Sequence, residues 1–179
     1  TPDVTANYYL GKEHQESDWD TLMILFKGGS VDAPLHFETT YTITIQGSAA
    51  DMDGNVMEKD YVFSFETGKG RIMSSRPSNG EKNVPARNIN VISFQFNCAI
   101  DRDSFEKAFE IRPRNSDRPM FSYSETEEGW TIAKVSVNLY PNTEYMIELG
   151  NELQTWDKVS LENTPFRVTF DTNEVKGKL

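Results

Sequence analysis

Apolar and polar residues alternate along several short segments of this chain. In residues 41–45 tyrosine and isoleucine alternate with threonine, and segments 61–66, 92–97 and 166–171 repeat the same period with aromatic and aliphatic residues. Because successive side chains of a β-strand point to opposite faces, a period of two places one apolar set on one face. No long window has the apolar spacing of a helix. The sequence therefore predicts half-buried strands and an all-β fold.

One short segment departs from this pattern. Phe105 and Phe109 have the i, i+4 spacing that brings two side chains onto the same face of a helix. Asp103 and Ser104, just before this pair, are residue types that cap helix N-termini. We expect a single turn, capped by one of these residues, that buries both phenylalanines.

The chain also contains an internal repeat. The strand pattern of residues 39–45 returns in 143–149, and that of residues 63–67 returns in 168–172. A repeat of about 100 residues whose landmarks are strands has the size of one immunoglobulin-like sandwich. The sequence therefore indicates two related modules within this chain.

The register of the repeat sets the expected domain boundaries. Residues 1–69 are predicted to form the C-terminal part of a first immunoglobulin-like sandwich, 70–174 a complete second one, and 175–179 a tail. The first copy lacks counterparts of residues 71–119. The predicted fold class is all-β, with tandem immunoglobulin-like β-sandwiches of which the first is incomplete at its N-terminal side.

Three explanations account for the missing strands of the first copy. An end of the chain falls within a domain, the first sandwich is smaller, or another chain donates the strands. An incomplete sandwich exposes strand edges and apolar faces that proteins normally cover. The first explanation is therefore favoured.

Tyr41 and Tyr145 stand at equivalent positions of the repeat, each two residues after a threonine. A tyrosine at such a position in a sandwich can fix a corner by hydrogen-bonding through its hydroxyl to nearby backbone. We expect both hydroxyls to have this structural role.

The sequence resembles a known family, the bacterial Ig-like domain of the S-layer-protein type. The resemblance rests on short motifs in a fixed order: Pro77-Ser78-Asn79-Gly80, Asn83-Val84-Pro85, Phe94 and Phe96, 101–105, 143–145 and 170–172 in the second copy, with 39–41, 51–55 and 65–67 in the first. It covers nearly all of residues 32–173. The second copy departs from the family's Asp-x-x-Gly-Asn turn, where it has residues 151–158 instead.

The resemblance implies a rigid, non-enzymatic spacer or adhesion module in a larger bacterial secreted or surface protein. Its location would be extracellular, at the cell surface or periplasmic, and its partner an unknown protein or glycan there. Any binding would lie in variable loops, and a role of the Asp-x-x-Gly-Asn turn would not be shared by both copies. Since fold alone does not bring function, two alternatives stay open: a carbohydrate-binding accessory domain, and a scaffold domain of a large alpha-macroglobulin-like or surface enzyme.

Charge and composition exclude several partner classes. Lys plus Arg total 18 against 28 for Asp plus Glu, giving a net charge of -10. Such a chain repels phosphate backbones and anionic lipid headgroups, so we expect no nucleic-acid partner. No stretch approaches the roughly 20 apolar residues that a membrane span requires, so we expect no membrane insertion of this segment.

No catalytic group is predicted. Cys98 is the only cysteine, so it cannot form an internal disulfide and cysteine usage does not indicate a compartment. It lies on the apolar side of its strand pattern, which predicts a buried core residue. A cysteine nucleophile needs a histidine partner, and His14 and His36 both lie in the other half of the chain. The sequence predicts that the chain is not an enzyme and has no resident cofactor.

Asp51, Asp53 and Asn55 form a candidate calcium turn. Their three oxygen-bearing side chains alternate, and Ca²⁺ takes six to eight oxygen ligands. An EF-hand loop places glycine at its sixth position, where this chain has Val56. The competing interpretation is an Asx turn in which Gly54 adopts a left-handed conformation between two strands.

Trp156 is the candidate for glycan contact. It lies in a polar loop beside Asp157, and an exposed indole can stack on a sugar ring. The alternative is that the ring covers a local core. Trp19 and Trp130 each precede an apolar strand and are expected to pack against their own sheets.

Overall fold

The computed structural model describes the backbone of residues 8–11 and 23–26, and residues 35–50, 53–87, 89–114, 117–126 and 129–173 in full. The chain divides into two compact units, residues 1–68 and 69–179. Each unit is described below by itself. Trp19, His14 and the predicted tail 175–179 lie outside the described residues.

The described part of unit 1 contains two pairs of antiparallel strands. They are β1 (Tyr8–Gly11), β2 (Met23–Phe26), β3 (Thr40–Ile45) and β4 (Tyr61–Glu66). Strand β1 pairs with β2, and β3 pairs with β4, with Tyr41 opposite Phe65. In the connection between β3 and β4, an isolated bridge joins Ala50 to Val56, so the two chain segments remain close beyond the strand ends.

Unit 2 is built from two four-stranded sheets and one short helix among its described residues. The elements in chain order are β5 (Ile72–Arg76), β6 (Glu81–Val84), β7 (Asn90–Phe96), α1 (Arg102–Ala108), β8 (Phe109–Arg112), β9 (Met120–Glu125), β10 (Thr131–Val137), β11 (Glu144–Leu149) and β12 (Phe166–Thr172). One sheet has the order β5-β7-β10-β9 and the other β6-β12-β11-β8. All these pairings are antiparallel except that of β6 with β12. This is an immunoglobulin-like β-sandwich, as the sequence predicted.

The core of unit 2 lies between the apolar faces of its strands. Along β7 the buried residues Ile92, Phe94 and Phe96 alternate with partly exposed neighbours, which confirms the predicted period of two. The largest fully buried side chains come from both sheets, the helix and one loop: Phe94, Phe96, Phe105, Tyr145, Ile147, Leu149, Leu153, Val168 and Phe170.

The helix closes this core with an aromatic ring. Phe105 is fully buried, and its ring packs edge-on against Phe94 and Phe96 with centroids 5.9 and 6.1 Å apart. Edge-to-face pairs at this separation add favourable quadrupole contacts to the area that each ring buries. The predicted turn at Phe105 is therefore present, whereas Phe109 begins β8 and is only partly buried.

The predicted cap of this helix was wrong. The N-cap is Asp101, whose carboxylate accepts a hydrogen bond from the Ser104 backbone N–H at 2.7 Å, while Asp103 lies in the first turn. An extended backbone conformation at Asp101 lets its short side chain reach the backbone N–H of the third residue of the helix. The helix therefore starts at Arg102, two residues earlier than a cap at Asp103 allows.

Tyr145 forms a corner between β10 and β11. Its fully buried ring stacks on Phe170, and its hydroxyl accepts a hydrogen bond from the Tyr140 backbone N–H at 2.8 Å. Thr172 completes the corner, since its hydroxyl donates to the Tyr140 carbonyl at 2.6 Å and accepts from the Thr143 N–H at 2.9 Å. The predicted structural role of the tyrosine hydroxyl is confirmed.

The same corner is present in unit 1. The Tyr41 hydroxyl accepts from the His36 N–H at 2.9 Å, and its ring stacks on Phe65. The Thr67 hydroxyl donates to the His36 carbonyl at 2.6 Å and accepts from the Thr39 N–H at 3.0 Å. Each hydrogen bond of one corner therefore has a counterpart in the other.

Strand β4 differs from the half-buried strand that its pattern predicts. Tyr61 and Phe63 are 56% and 38% exposed, although they lie on the apolar face together with Phe65. Among the described residues β4 is hydrogen-bonded to β3 alone. The burial that the alternating pattern predicts for β4 is therefore absent at Tyr61 and Phe63.

We expect Thr172→Val to destabilise unit 2 by about 1–3 kcal/mol, because the isosteric side chain leaves part-buried backbone groups at Tyr140 and Thr143 without their partner. Urea denaturation followed by Trp130 and Trp156 fluorescence measures this change. Thr143→Val is the matched control, since the exposed Thr143 hydroxyl donates only to the Pro141 carbonyl. Equal losses in the two variants would contradict the role assigned to the corner.

Candidate functional site

The site is a group of loops at the end of unit 2 where the chain enters the sandwich. It contains residues 97–101 after β7, residues 126–131 around the start of β10, and residues 150–161 between β11 and β12. We call this group the Trp156 loops. Backbone hydrogen bonds join them: Trp156 N–H donates to the Ala99 carbonyl at 3.1 Å, and Thr131 N–H donates to the Cys98 carbonyl at 3.0 Å.

Thr155 organises the longest of these loops. It is fully buried, and its hydroxyl hydrogen-bonds to the Asp157 carboxylate and to the Val159 carbonyl and N–H. The Thr155 N–H also donates to the Val159 carbonyl at 2.9 Å, which closes a tight turn. Leu153 and Leu161 are buried on either side of this turn. The loop is therefore built around its own small core.

Trp156 projects from this turn and is partly exposed. Trp130, which the sequence analysis expected to pack against its sheet, is also partly exposed, and its backbone N–H donates to the Thr126 hydroxyl at 3.2 Å. Both tryptophans belong to loops that hydrogen-bond the segment 98–99. The geometry thus brings two indole-bearing loops to one end of the sandwich. The sequence offered no signal for this arrangement, because the two residues lie far apart along the chain.

An ion pair links the loops to the helix. The Lys158 ammonium contacts the Asp101 carboxylate, and the Asp101 N–H donates to the Gln154 carbonyl at 2.9 Å. The hydrogen bond from Lys158 and those from Ser104 hold the pKa of Asp101 below its ordinary value, against a smaller opposing effect of burial. Asp101 therefore stays ionised at neutral pH and serves the structure in two ways, as helix cap and as anchor of the loop.

Cys98 has the environment of a core residue. It is buried, and burial raises its pKa to about 12, a rise to which the nearby negative charge of Asp157 adds. The thiolate is the nucleophilic form, and it is scarce at neutral pH when the pKa is this high. The prediction of a buried, structural cysteine is confirmed.

Gly70 packs directly against these loops. A Cβ added there would lie 2.7 Å from the Thr155 methyl and 2.9 Å from the Cys98 sulfur. The Gly70 carbonyl accepts a hydrogen bond from the Glu162 N–H at 2.9 Å. The start of unit 2 is therefore held tightly at this end.

The candidate calcium turn is described only in part, since Asp51 lies outside the described residues. Asp53 and Asn55 are exposed on either side of Gly54, which has the left-handed φ of 85° that the competing turn interpretation requires. In the described ranges no group of three or more His, Cys, Asp or Glu residues is placed to hold a metal ion. A calcium site at 51–55 stays a prediction.

The electrostatics at Asp101 predict a pH-dependent stability. Since the folded-state pKa is lowered, the ionised carboxylate stabilises unit 2 above the unfolded pKa of about 3.9, and this contribution is lost as the pH falls through the folded value. We expect Asp101→Ala to cost about 1 kcal/mol at pH 7 through loss of the cap.

The matched control is Asp101→Asn, which keeps a capping side chain and loses only the pairing with Lys158. Its cost should be smaller than that of alanine at pH 7 and should shrink as the pH approaches 3. Urea denaturation at pH 7 and at pH 3 measures both differences. A cost of Asp101→Asn that does not change with pH would show that the charge has no part in the stability.

A known protein family matches the larger part of the chain. A model described as bacterial Ig-like domain matches residues 69–172. No functionally curated protein sequence matches the chain. Within the described part of the chain, no helix has the length and apolar character that a membrane crossing requires.

Two solved structures are similar to part of the chain. One is an L,D-transpeptidase from Mycobacterium smegmatis, with 15% identity and a TM-score of 0.37, covering 58% of this chain and 40% of that one. The other is the N-terminal part of the bacterial S-layer protein SbsC, with 15% identity and a TM-score of 0.36, covering 59% of this chain and 24% of that one. The chain thus spans less than half of either structure.

Proposed function

Since this chain belongs to the bacterial Ig-like domain family through residues 69–172, we propose that it is a non-catalytic structural or adhesive module of a bacterial secreted or cell-surface protein. Its location is extracellular, at the surface or in the periplasm, and its partner there is a protein or a glycan. The observation that carries this proposal is the path of the chain through unit 2.

The chain enters and leaves unit 2 at opposite ends of the sandwich. At the start, Ile72 pairs with Phe96 at the end of β7, and the Arg71 carbonyl accepts from the Asn97 N–H. At the other end, the Asn173 N–H donates to the Val84 carbonyl, close to where β7 begins at Asn90. Since β7 has seven residues, the two ends are separated by about 20 Å. A module of this kind adds length to a chain and transmits force along it.

The parallel pairing of β6 with β12 is suited to resist a force that pulls on the two ends of the chain. Glu81 pairs with Phe170 and Val84 with Thr172, so a pull on both chain ends shears these strands past each other. In shear the hydrogen bonds between two strands are loaded together rather than one after another. Two side-chain contacts reinforce the pairing: Asn79 accepts from the Thr169 N–H at 2.9 Å, and Lys82 pairs with Asp171 at 2.6 Å.

The polar groups of unit 2 support a structural role. In the described ranges every buried side-chain nitrogen or oxygen has a hydrogen-bond partner. The side chains of Asp101, Thr155 and Thr172 act on backbone atoms of loops and corners. Their hydrogen-bonding capacity is used to hold the fold.

Single-molecule force spectroscopy on the full chain tests the proposal. We expect unit 2 to unfold in one peak when the chain is pulled from its two ends, and Asn79→Ala to lower the peak force because it removes about 1 kcal/mol of contact to Thr169. Asn138→Ala is the matched control, since Asn138 contacts Asp117 away from β6 and β12 and should leave the force unchanged. Extension of unit 2 without a force peak would overturn the structural proposal.

The second candidate function is glycan binding at the Trp156 loops. It is favoured by the two partly exposed tryptophans that the fold brings to the same end, since an indole face can stack on a sugar ring. If it is correct, glycan arrays should show binding that Trp156→Ala reduces at least tenfold. Tyr140→Ala, at the far end of unit 2, is the exposed aromatic control and should bind as the unchanged protein does. An array without any bound sugar would remove this candidate.

The third candidate is a scaffold domain within a larger alpha-macroglobulin-like or surface enzyme. The geometry of unit 2 serves that role equally well, because a sandwich with fixed ends can space catalytic domains. Sequencing the parent gene distinguishes this case by the presence of a thioester or catalytic segment.

A further inference from the structure

The turn that leads into β6 contains the chain's only asparagine followed by glycine, Asn79-Gly80. The Glu81 N–H donates to the Ser78 carbonyl at 3.1 Å, and Gly80 has a φ of 80°, the left-handed value that such a turn takes at its third position. The Glu81 carboxylate also accepts from the Ser78 N–H at 2.8 Å. The backbone of the turn therefore requires glycine at position 80, and its place after asparagine has a chemical consequence.

An asparagine before glycine can react with its own backbone without an enzyme. The glycine amide nitrogen loses its proton and attacks the side-chain carbonyl carbon, and ammonia leaves as a five-membered succinimide ring forms. Glycine favours this step because it has no side chain to hinder the approach of its nitrogen. One water molecule then opens the ring at either carbonyl. The products are aspartate and isoaspartate, in which the main chain runs through the former side chain.

One residue of β12 holds both reacting groups. The Gly80 N–H donates to the Thr169 carbonyl at 2.7 Å, and the Asn79 side-chain oxygen accepts from the Thr169 N–H at 2.9 Å and from its hydroxyl at 3.3 Å. Loss of the Gly80 proton requires the first hydrogen bond to break. Rotation of the Asn79 carbonyl carbon toward the Gly80 nitrogen requires the other two to break. The pairing with β12 therefore opposes both movements.

Burial does not protect this turn. Asn79 and Gly80 are exposed, and a Cβ added at Gly80 would meet no atom of the described residues within 4 Å. The base that removes the amide proton and the water that opens the ring can therefore reach the turn in the folded protein. The protection comes from the hydrogen bonds to Thr169.

Strand β6 is the element whose opening releases these groups. It has four residues, lies at an edge of its sheet, and its pairing with β12 contains a register shift. Three of its residues are exposed and Val84 is buried. Segments with few buried apolar contacts and exposed hydrogen bonds open more readily than central strands. Opening of β6 therefore requires less of the core to be disrupted than unfolding of unit 2.

We propose that Asn79-Gly80 is a self-modification site, which stays unreacted while β6 is paired with β12 and converts to aspartate and isoaspartate when this pairing opens. Isoaspartate adds one main-chain carbon before Gly80 and shortens the side chain by one carbon. The two groups that bind Thr169 then no longer match the spacing of its N–H and carbonyl. Conversion to isoaspartate therefore prevents β6 from returning to its register.

Peptide mapping by mass spectrometry on the full chain measures the conversion. The chain is incubated at mildly alkaline pH in buffer and in concentrated urea, and the gain in mass at residue 79 is followed with time. Because modification of an open form follows its population, we expect the rate in buffer to be about tenfold or more below the rate in urea. Equal rates in the two solutions, or no conversion in urea, would overturn the proposal.

Two variants identify the opening that permits the reaction. Lys82→Ala removes the exposed ion pair between β6 and Asp171, and we expect it to raise the rate in buffer about two- to fivefold without changing the rate in urea. Arg112→Ala is the matched control, since it removes an exposed ion pair with Glu110 on β8, at the opposite edge of the same sheet. Its rate should equal that of the unchanged protein. Equal acceleration in both variants would assign the reaction to unfolding of the whole unit and contradict the role of β6.

The isoaspartate form, isolated by chromatography and returned to buffer, tests the structural consequence. We expect amide hydrogen exchange of Thr169 to be about tenfold faster in this form, because its N–H has lost its acceptor. Asn79→Asp is the control, since it keeps the main-chain length and a side-chain oxygen, and its exchange should stay slow. Slow exchange in the isoaspartate form would show that the pairing survives. These measurements are made without load, so their failure is distinct from failure of the force experiment.

Discussion

The hydrogen bonds of one threonine and one tyrosine fix the geometry on which the rest of each unit depends. In unit 2, Thr172 and Tyr145 bind the backbone of residues 140–143 from two sides and so lock the end of β12 to the turn before β11. This contact sets the register in which Phe170 stacks on Tyr145 beneath the core. Once that register is fixed, alternation along the strands determines which side chains are buried.

Alternation explains why so much of the fold could be predicted from the sequence. In β7 and β12 each apolar residue of the pattern is buried or partly buried, because each of these strands has a neighbouring strand on both edges and turns its apolar face to the core. The cap of α1 was misplaced, since Asp101, Asp103 and Ser104 are all good capping residues and only the backbone conformation selects among them. The exposure of Tyr61 and Phe63 on β4 was also missed, because a pattern shows which face is apolar and not what covers it.

The candidate site was harder to predict than the fold. Trp156 was identified as a single residue, but its relation to Trp130 and to the segment 98–99 depends on contacts between loops that are distant in sequence. The same holds for Asp101, whose partner Lys158 lies in another loop. Such contacts leave no periodic signal, whereas the repeated threonine and tyrosine did, because both units use them in the same way.

The corner has a consequence for how such modules vary. At this corner, tyrosine at position 140 and histidine at position 36 accept from the threonine hydroxyl through the main-chain carbonyl and donate to the tyrosine hydroxyl through the main-chain N–H. Nineteen of the twenty amino acids carry that group, and proline alone lacks it. Substitution of this residue by any type other than proline therefore costs the fold little. Related modules can present different side chains at this position on the same backbone fold.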